Sequence, residues 1–215
     1  VFADVKFTFL KTCLGSIHVS EIRATFQEIK MTLYAHETGV TANVSPRLET
    51  VIKNVEFTRR YTLSLLEDLT ADDWFWTPAD SSEKFTTHIA WQAGHIAMAE
   101  YGLMLFRQRG RDRDVDATLM SGKFRKLFLR GSEPHRDREG YPEPQEIIEV
   151  MDRVHRQVLK EIASFDGEQL DEPAEPPHAA FATRYGALLF AGGHEMLHAG
   201  QIGLLRRLMG KAPLR

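Results

Sequence analysis

Cysteine is nearly missing from this chain. The single one, Cys13, excludes an internal disulfide framework and fits a reducing, cytoplasmic setting. No apolar run approaches the ~18 residues that span a bilayer, so no membrane role is expected. An excess of positive charge is lacking as well: 27 Lys and Arg stand against 30 Asp and Glu, for a net charge of −3. That removes the electrostatic case for nucleic acid or an anionic membrane surface as partner. Internal repeats and low-complexity boundaries are also absent. With 215 residues, 43% of them hydrophobic, the chain has enough apolar side chains to build one substantial core.

What is present is helical periodicity. Ser45-Pro46 reads as an N-cap followed by proline at the first helical position. Leu48, Val51, Ile52, Val55, Leu65, Leu66 and Leu69 then supply an apolar stripe that stops near Asp68 to Thr70. Trp74, Phe75 and Trp76 follow in a turn and read as anchors for the end of a bundle. Thr86 or Thr87 is the expected cap of a second helix, running from Thr87 to about Gln108. A charged connection over 109–142 contains a short helix marked by Phe124, Leu127, Phe128 and Leu129, with His135 exposed. Ile147, Met151, Val154, Val158, Ile162 and Phe165 define a third, amphipathic helix behind Pro142 and Pro144. His155 borders its stripe and is assigned to an edge, with no role. Asp171 to Pro177 reads as a stiff linker, and no strand is expected after residue 45. A fourth helix runs from about Thr183 to Met209, stopped by Gly210. The expected fold is all-α, a four-helix bundle with a long crossover connection between helices 2 and 3.

Residues 1–44 read as an N-terminal extension of undecided structure, either an over-long start or a real appendage, since the chain begins with Val1 and the first methionine is Met31. Phe7 and Phe9 alternate as in a short strand, and Ile22, Phe26, Ile29 and Leu33 have helical spacing behind Ser20.

The chemistry concentrates in His194-Glu195-Met196-Leu197-His198. Two histidines four apart on a helix share one face, the spacing at which one divalent metal meets both rings. The pattern H-E-x-x-H is that of a zinc protease, whose third ligand follows downstream. Here the stretch Ala199–Arg215 contains no His, Asp or Glu, so the protease reading is disfavoured and Glu195 becomes incidental. A di-iron site needs two Glu-x-x-His motifs, and the chain has one. What remains is the pair plus one upstream histidine. His95 is a candidate, flanked by small and apolar residues, although a lone histidine on such a face is more often a hydrogen-bonded core residue than a ligand. His88, about 10 Å along the helix from His95, is too far to share its metal unaided. Glycines crowd these histidines: Gly94 beside His95, and Gly186, Gly192, Gly193, Gly200 and Gly203 in the fourth helix. Each costs a helix about 1 kcal/mol against alanine, so close backbone approach or an open pocket is expected in return.

Ala90-Trp91-Gln92-Ala93-Gly94-His95, the stretch Phe124 to Pro134 with Arg130-Gly131-Ser132-Glu133-Pro134, and His194-x-x-x-His198-Ala199-Gly200-Gln201-Ile202 together resemble the DinB/YfiT-like superfamily of metal-binding four-helix bundles. The likeness covers 45–210 as one DinB-like domain. It implies His95, His194 and His198 as ligands of a divalent metal ion (zinc, nickel or iron). It also implies a homodimer. The resemblance further suggests a metal-dependent S-transferase that adds a low-molecular-weight thiol to an electrophile, both small molecules. A metal-dependent hydrolase and a non-catalytic metal-binding stress-response protein are the alternatives. Outside Cys13 the chain has no thiol, so the nucleophile would be a cosubstrate. Gln201 is a candidate for orienting a ligand and Trp91 for walling the pocket; plain packing roles are their alternatives.

Overall fold

The computed structural model describes residues 24–25, 27–28, 44–79, 87–165 and 167–214. The proposed strand at Phe7 and Phe9 lies outside these residues, as does most of the helical pattern from Ile22 to Leu33. Within it, Ala24, Thr25, Gln27 and Glu28 are helical. Among the described residues, four long helical elements build the fold. They are α1 (Pro46–Leu66), α3 (Ile89–Glu100) with its continuation, α7 (Pro144–Ile162) and α9 (Arg184–Leu208). Between them lie α2 (Ala71–Phe75), α5 (Arg113–Leu119), α6 (Gly122–Phe128), α8 (Gly167–Leu170) and a hairpin of β1 (Pro173–His178) and β2 (Phe181–Thr183). α3 continues through a π-helical stretch (Tyr101–Phe106) into α4 (Arg107–Arg109). Among the described residues, no helix is long and apolar enough to cross a membrane.

The helix starts follow local chemistry. Ser45 accepts the Leu48 N–H with Pro46 at the first position, and Thr183 accepts the Gly186 N–H at 3.1 Å. The Thr86/Thr87 cap is corrected. The His88 ring caps α3 instead, its Nδ1 accepting the Trp91 N–H at 3.1 Å, while Thr86 lies outside the described residues. His88 therefore sits at the helix end rather than two turns along the face of His95.

The absence of strands after residue 45 is also corrected: β1 and β2 pair antiparallel, with Pro173 opposite Thr183 and His178 opposite Phe181. Proline cannot donate to a ladder, which is why Asp171–Pro177 read as a linker. A sheet of two strands has only edges, and prolines are tolerated there.

Helix directions emerge from the contacts. Arg59 meets Glu195, and further along both helices Arg206 meets the Leu65 carbonyl, so α1 and α9 run parallel. Glu100 meets His155 and Arg109 meets Glu161, so α3 and α7 are parallel too. Gln92 meets His198 while Gln108 meets Arg184, so α3 and α9 are antiparallel. The order is up-down-down-up. Parallel neighbours cannot be joined by a short turn, and the crossover over 110–143 returns the chain along the length of the bundle.

The bundle's centre is charged. Arg59 of α1 is buried, donating from Nε to Glu195 Oε1 of α9 at 3.0 Å and from Nη2 to Glu100 Oε2 of α3 at 2.8 Å. Its Nη1 donates to the Met151 carbonyl of α7 at 3.0 Å. His155 of α7 completes the group, its Nδ1 2.6 Å from Glu100 Oε1. One guanidinium thus ties all four long helices. Burial pushes Glu100 upward, but Arg59 and His155 outweigh it and hold the carboxyl below its ordinary pKa. Two earlier assignments change: His155 is buried, not at an edge, and Glu195 is part of the central cluster, not incidental.

Glycine at 94 and 192 answers a packing need. A Cβ on Gly94 would stand 2.5 Å from the Phe128 ring, and one on Gly192 would overlap the Asn54 amide. Gly193 and Gly200 have open space above them, and nothing in the packing demands them.

Arg59→Leu is expected to destabilise the protein by about 3–5 kcal/mol, because Glu195 would remain buried without its counter-charge and Glu100 would keep only His155. Urea unfolding at pH 7 measures it, and a loss under about 1 kcal/mol would contradict this account of the centre.

Candidate metal centre

His95 lies mid-way along α3, and His194 and His198 lie one turn apart on antiparallel α9. One ring nitrogen from each falls within 4.8 Å of the other two. The ring centroids are 5.4 Å apart for His95 and His194, 4.8 Å for His95 and His198, and 4.6 Å for the α9 pair. His95 is buried and the other two are half-buried.

Hydrogen bonds set two of the tautomers. His95 Nδ1 is 2.8 Å from the Phe128 carbonyl, which can only accept, so the proton sits on Nδ1 and the Nε2 lone pair is free. His198 Nδ1 faces Gln92 Oε1 at 2.5 Å, and the Gln92 amide is oriented by donating from Nε2 to Thr87 Oγ1 at 2.7 Å. Backing a ligand's far nitrogen with an acceptor is the usual support for a metal-bound imidazole. Trp91 stacks on His95, with centroids 4.9 Å apart and planes 7° apart, and its indole N–H donates to Ser132 Oγ. Gly94 matters here as well: it lets Phe128 pack against α3 so that its carbonyl reaches His95.

Electrostatics keep the trio neutral. Burial is the main cause throughout. It brings His95 below its ordinary value against the pull of the Phe128 carbonyl. Burial, then His95 and His178, lower His194 to about 4. Burial, then His194 and His95, lower His198 to about 3. Three converging neutral imidazoles fit a divalent cation. The group could hold a metal ion.

On one side of the trio opens a cavity of about 360 Å³. His95 and His194 contribute to its wall, together with residues of the π-helical stretch, the crossover and the β-hairpin. It follows α3 toward its C-terminal end and α9 toward its N-terminal end. Trp91 and Gln201 lie in the opposite direction from the trio. Trp91 therefore backs His95 rather than walling the cavity, and Gln201 is exposed and does not line it. The amide at the centre is Gln92, which sequence reasoning passed over. Its position four residues after His88 and three before His95 places it on the buried side of α3, and that was the available signal.

The DinB superfamily model matches residues 54–202, more than half of the chain. The chain belongs to the DinB superfamily. The matched region begins inside α1 and ends inside α9, so it contains the whole histidine trio, the crossover and the hairpin. No curated protein matches the sequence.

A divalent ion held by this trio is expected to disappear from purified His194→Ala and His198→Ala, read as metal per chain by elemental analysis. Since ligation needs neutral imidazole, and the α9 pair protonates only near pH 3–4, the unaltered protein should keep its ion through pH 6 and lose it near pH 4 and below. Full occupancy in both variants, or loss already at pH 6, would count against the site.

Proposed function

We propose that this DinB-superfamily protein is a metal-dependent S-transferase that joins a low-molecular-weight thiol to a small electrophile. The observation that carries the reading is the open side of the trio: two of the three neutral histidines, His95 and His194, line a largely apolar cavity, with no fourth protein ligand grouped with the trio among the described residues. Closed four-ligand sites are structural, whereas three ligands beside a cavity leave coordination positions for substrate. A bound divalent ion supplies charge that favours a coordinating thiol as thiolate at neutral pH. His95, His194 and His198 would hold that ion, with Phe128 and Gln92 fixing the ring orientations. In the reaction the thiol proton passes to solvent, the sulfur–carbon bond forms, and the electrophile's leaving group departs. No Asp or Glu lines the cavity, so a carboxylate base is not at hand, and a thiol already acidified needs none. The metal is zinc, nickel or iron, each of which imidazole suits.

The test follows consumption of cysteine, glutathione and related thiols with an aryl halide, using metal-loaded protein. Metal-dependent turnover lost in His198→Ala is expected. Failure across the thiol panel, with ester or amide hydrolysis in its place, would replace the transferase with a hydrolase.

A homodimer belongs to the same proposal. Phe57 and Tyr61 on α1 and Leu197, Leu204 and Leu208 on its parallel neighbour α9 are exposed, an apolar surface that a second copy would cover. Sedimentation equilibrium should return twice the chain mass, and Leu197→Glu with Leu204→Glu should return the chain mass. A monomer for the unaltered protein would refute it.

A further inference from the structure

The cavity beside the trio carries a second chemical feature. Arg107, from α4, and Arg130, from the crossover, line the same cavity as His95 and His194. Arg107 Nη1 donates to the Pro176 carbonyl of β1, and its guanidinium lies over the Phe181 ring at 5.2 Å. Neither contact neutralises its charge. Among the described residues no carboxylate pairs with Arg107 or Arg130, and the cavity lining includes no Asp or Glu.

The contrast with adjacent arginines is informative. Two residues beyond Arg107, Arg109 holds Asp116 at 2.8 Å and Glu161 at 2.6 Å. At the start of α9, Arg184 holds Glu172 at 3.0 Å. The two that face the cavity hold none. Burial first, and then repulsion from Arg130, lower the Arg107 pKa, so the two charges feel each other. Like charges beside an apolar cavity are unfavourable until an anion lies between them. A forked guanidinium pair suits a planar carboxylate better than a point charge does. The remaining wall is largely apolar, with Met98, Leu103, Phe106 and Phe190.

We propose that Arg107 and Arg130 form an anion-binding subsite, and that the cavity takes a small amphipathic carboxylate. Its apolar body lies against Met98, Leu103, Phe106 and Phe190, and its carboxylate sits on the two guanidiniums. The inference rests on reading the cavity as the substrate side of the metal centre, and it names the class of the electrophilic partner. The carboxylate acts as a handle: the arginines hold one end of the molecule, and the part nearer His95 and His194 is presented for reaction. A neutral analogue of the same shape would leave two cations without a counter-charge and would be discriminated against for that reason.

Octanoate and its neutral counterpart octanamide are the probes, titrated calorimetrically into metal-loaded protein with no thiol present. Octanoate should bind at least about tenfold tighter, a difference of about 1.4 kcal/mol. Arg107→Gln combined with Arg130→Gln should abolish that preference while octanamide binding and metal content stay unchanged. Arg130 is exposed, so Arg130→Glu serves as a second variant that spares the core, and it should weaken octanoate by a similar factor. Carboxylates also coordinate metals. A preference that survives in the double variant would place the carboxylate on the ion and overturn the subsite. Equal binding of the two probes, or binding of neither, would overturn it as well. The measurement involves no turnover. A protein that prefers octanoate through these arginines but transfers no thiol sinks the transferase and keeps the subsite, while thiol transfer without any carboxylate preference does the reverse.

Discussion

The buried guanidinium of Arg59 is the contact on which the register of the whole molecule depends. Hydrophobic stripes let bundle helices slide and rotate by small steps at modest cost. A buried cation that must meet Glu100, Glu195 and a carbonyl at Met151 does not permit such slippage, because any shift leaves a charge unpaired in the interior. Each of the four long helices contributes one group to it. The histidines inherit their placement from the same lock. His194 immediately precedes Glu195, so anchoring that carboxylate sets the rotation of α9. His95 lies five residues before Glu100, so the other carboxylate sets the height of α3. The trio converges because two neighbouring residues are held.

The up-down-down-up order has a chemical consequence. Parallel α3 and α7 require a long return, and the chain uses that return. The crossover brings in Phe128, whose carbonyl orients His95, Ser132, which receives the Trp91 indole, and Arg130, which faces the cavity. The hairpin before α9 does the same on the other side, closing the cavity with Pro176 and His178. Two of the helices, α3 and α9, supply the histidines that could hold a metal, while the connections supply the parts that decide what can lie beside them.

Much of this was legible in the chain. Ser45-Pro46, the stripe of the third long helix and the Thr183-to-Gly210 span all mark elements that the structure contains, because capping and periodicity are local properties. The central cluster also leaves a trace in the sequence. Arg59 continues the stripe of Leu48, Val51 and Val55, and His155 continues that of Ile148 and Met151. Glu100 and Glu195 likewise occupy inward positions on their helices. Charges of opposite sign at core positions of different helices point to mutual pairing. His155 reads as an edge residue and Glu195 as incidental only while each helix is considered alone.

By itself the sequence determined the helical class, the starts of the first and last long helices and the half-site of two histidines, since each follows from spacing along one element. Only the tertiary structure decided how the third histidine meets the pair and which amide supports it. It also decided on which side of the trio the cavity opens. Trp91 and Gln201 show why. Both lie a turn from a ligand on their helices, yet antiparallel packing of α3 and α9 puts both on the side away from the cavity. Direction between helices is not written in either helix alone. It is set by long-range contacts such as Arg59 with Glu195, 136 residues apart, whose partners no local pattern can name.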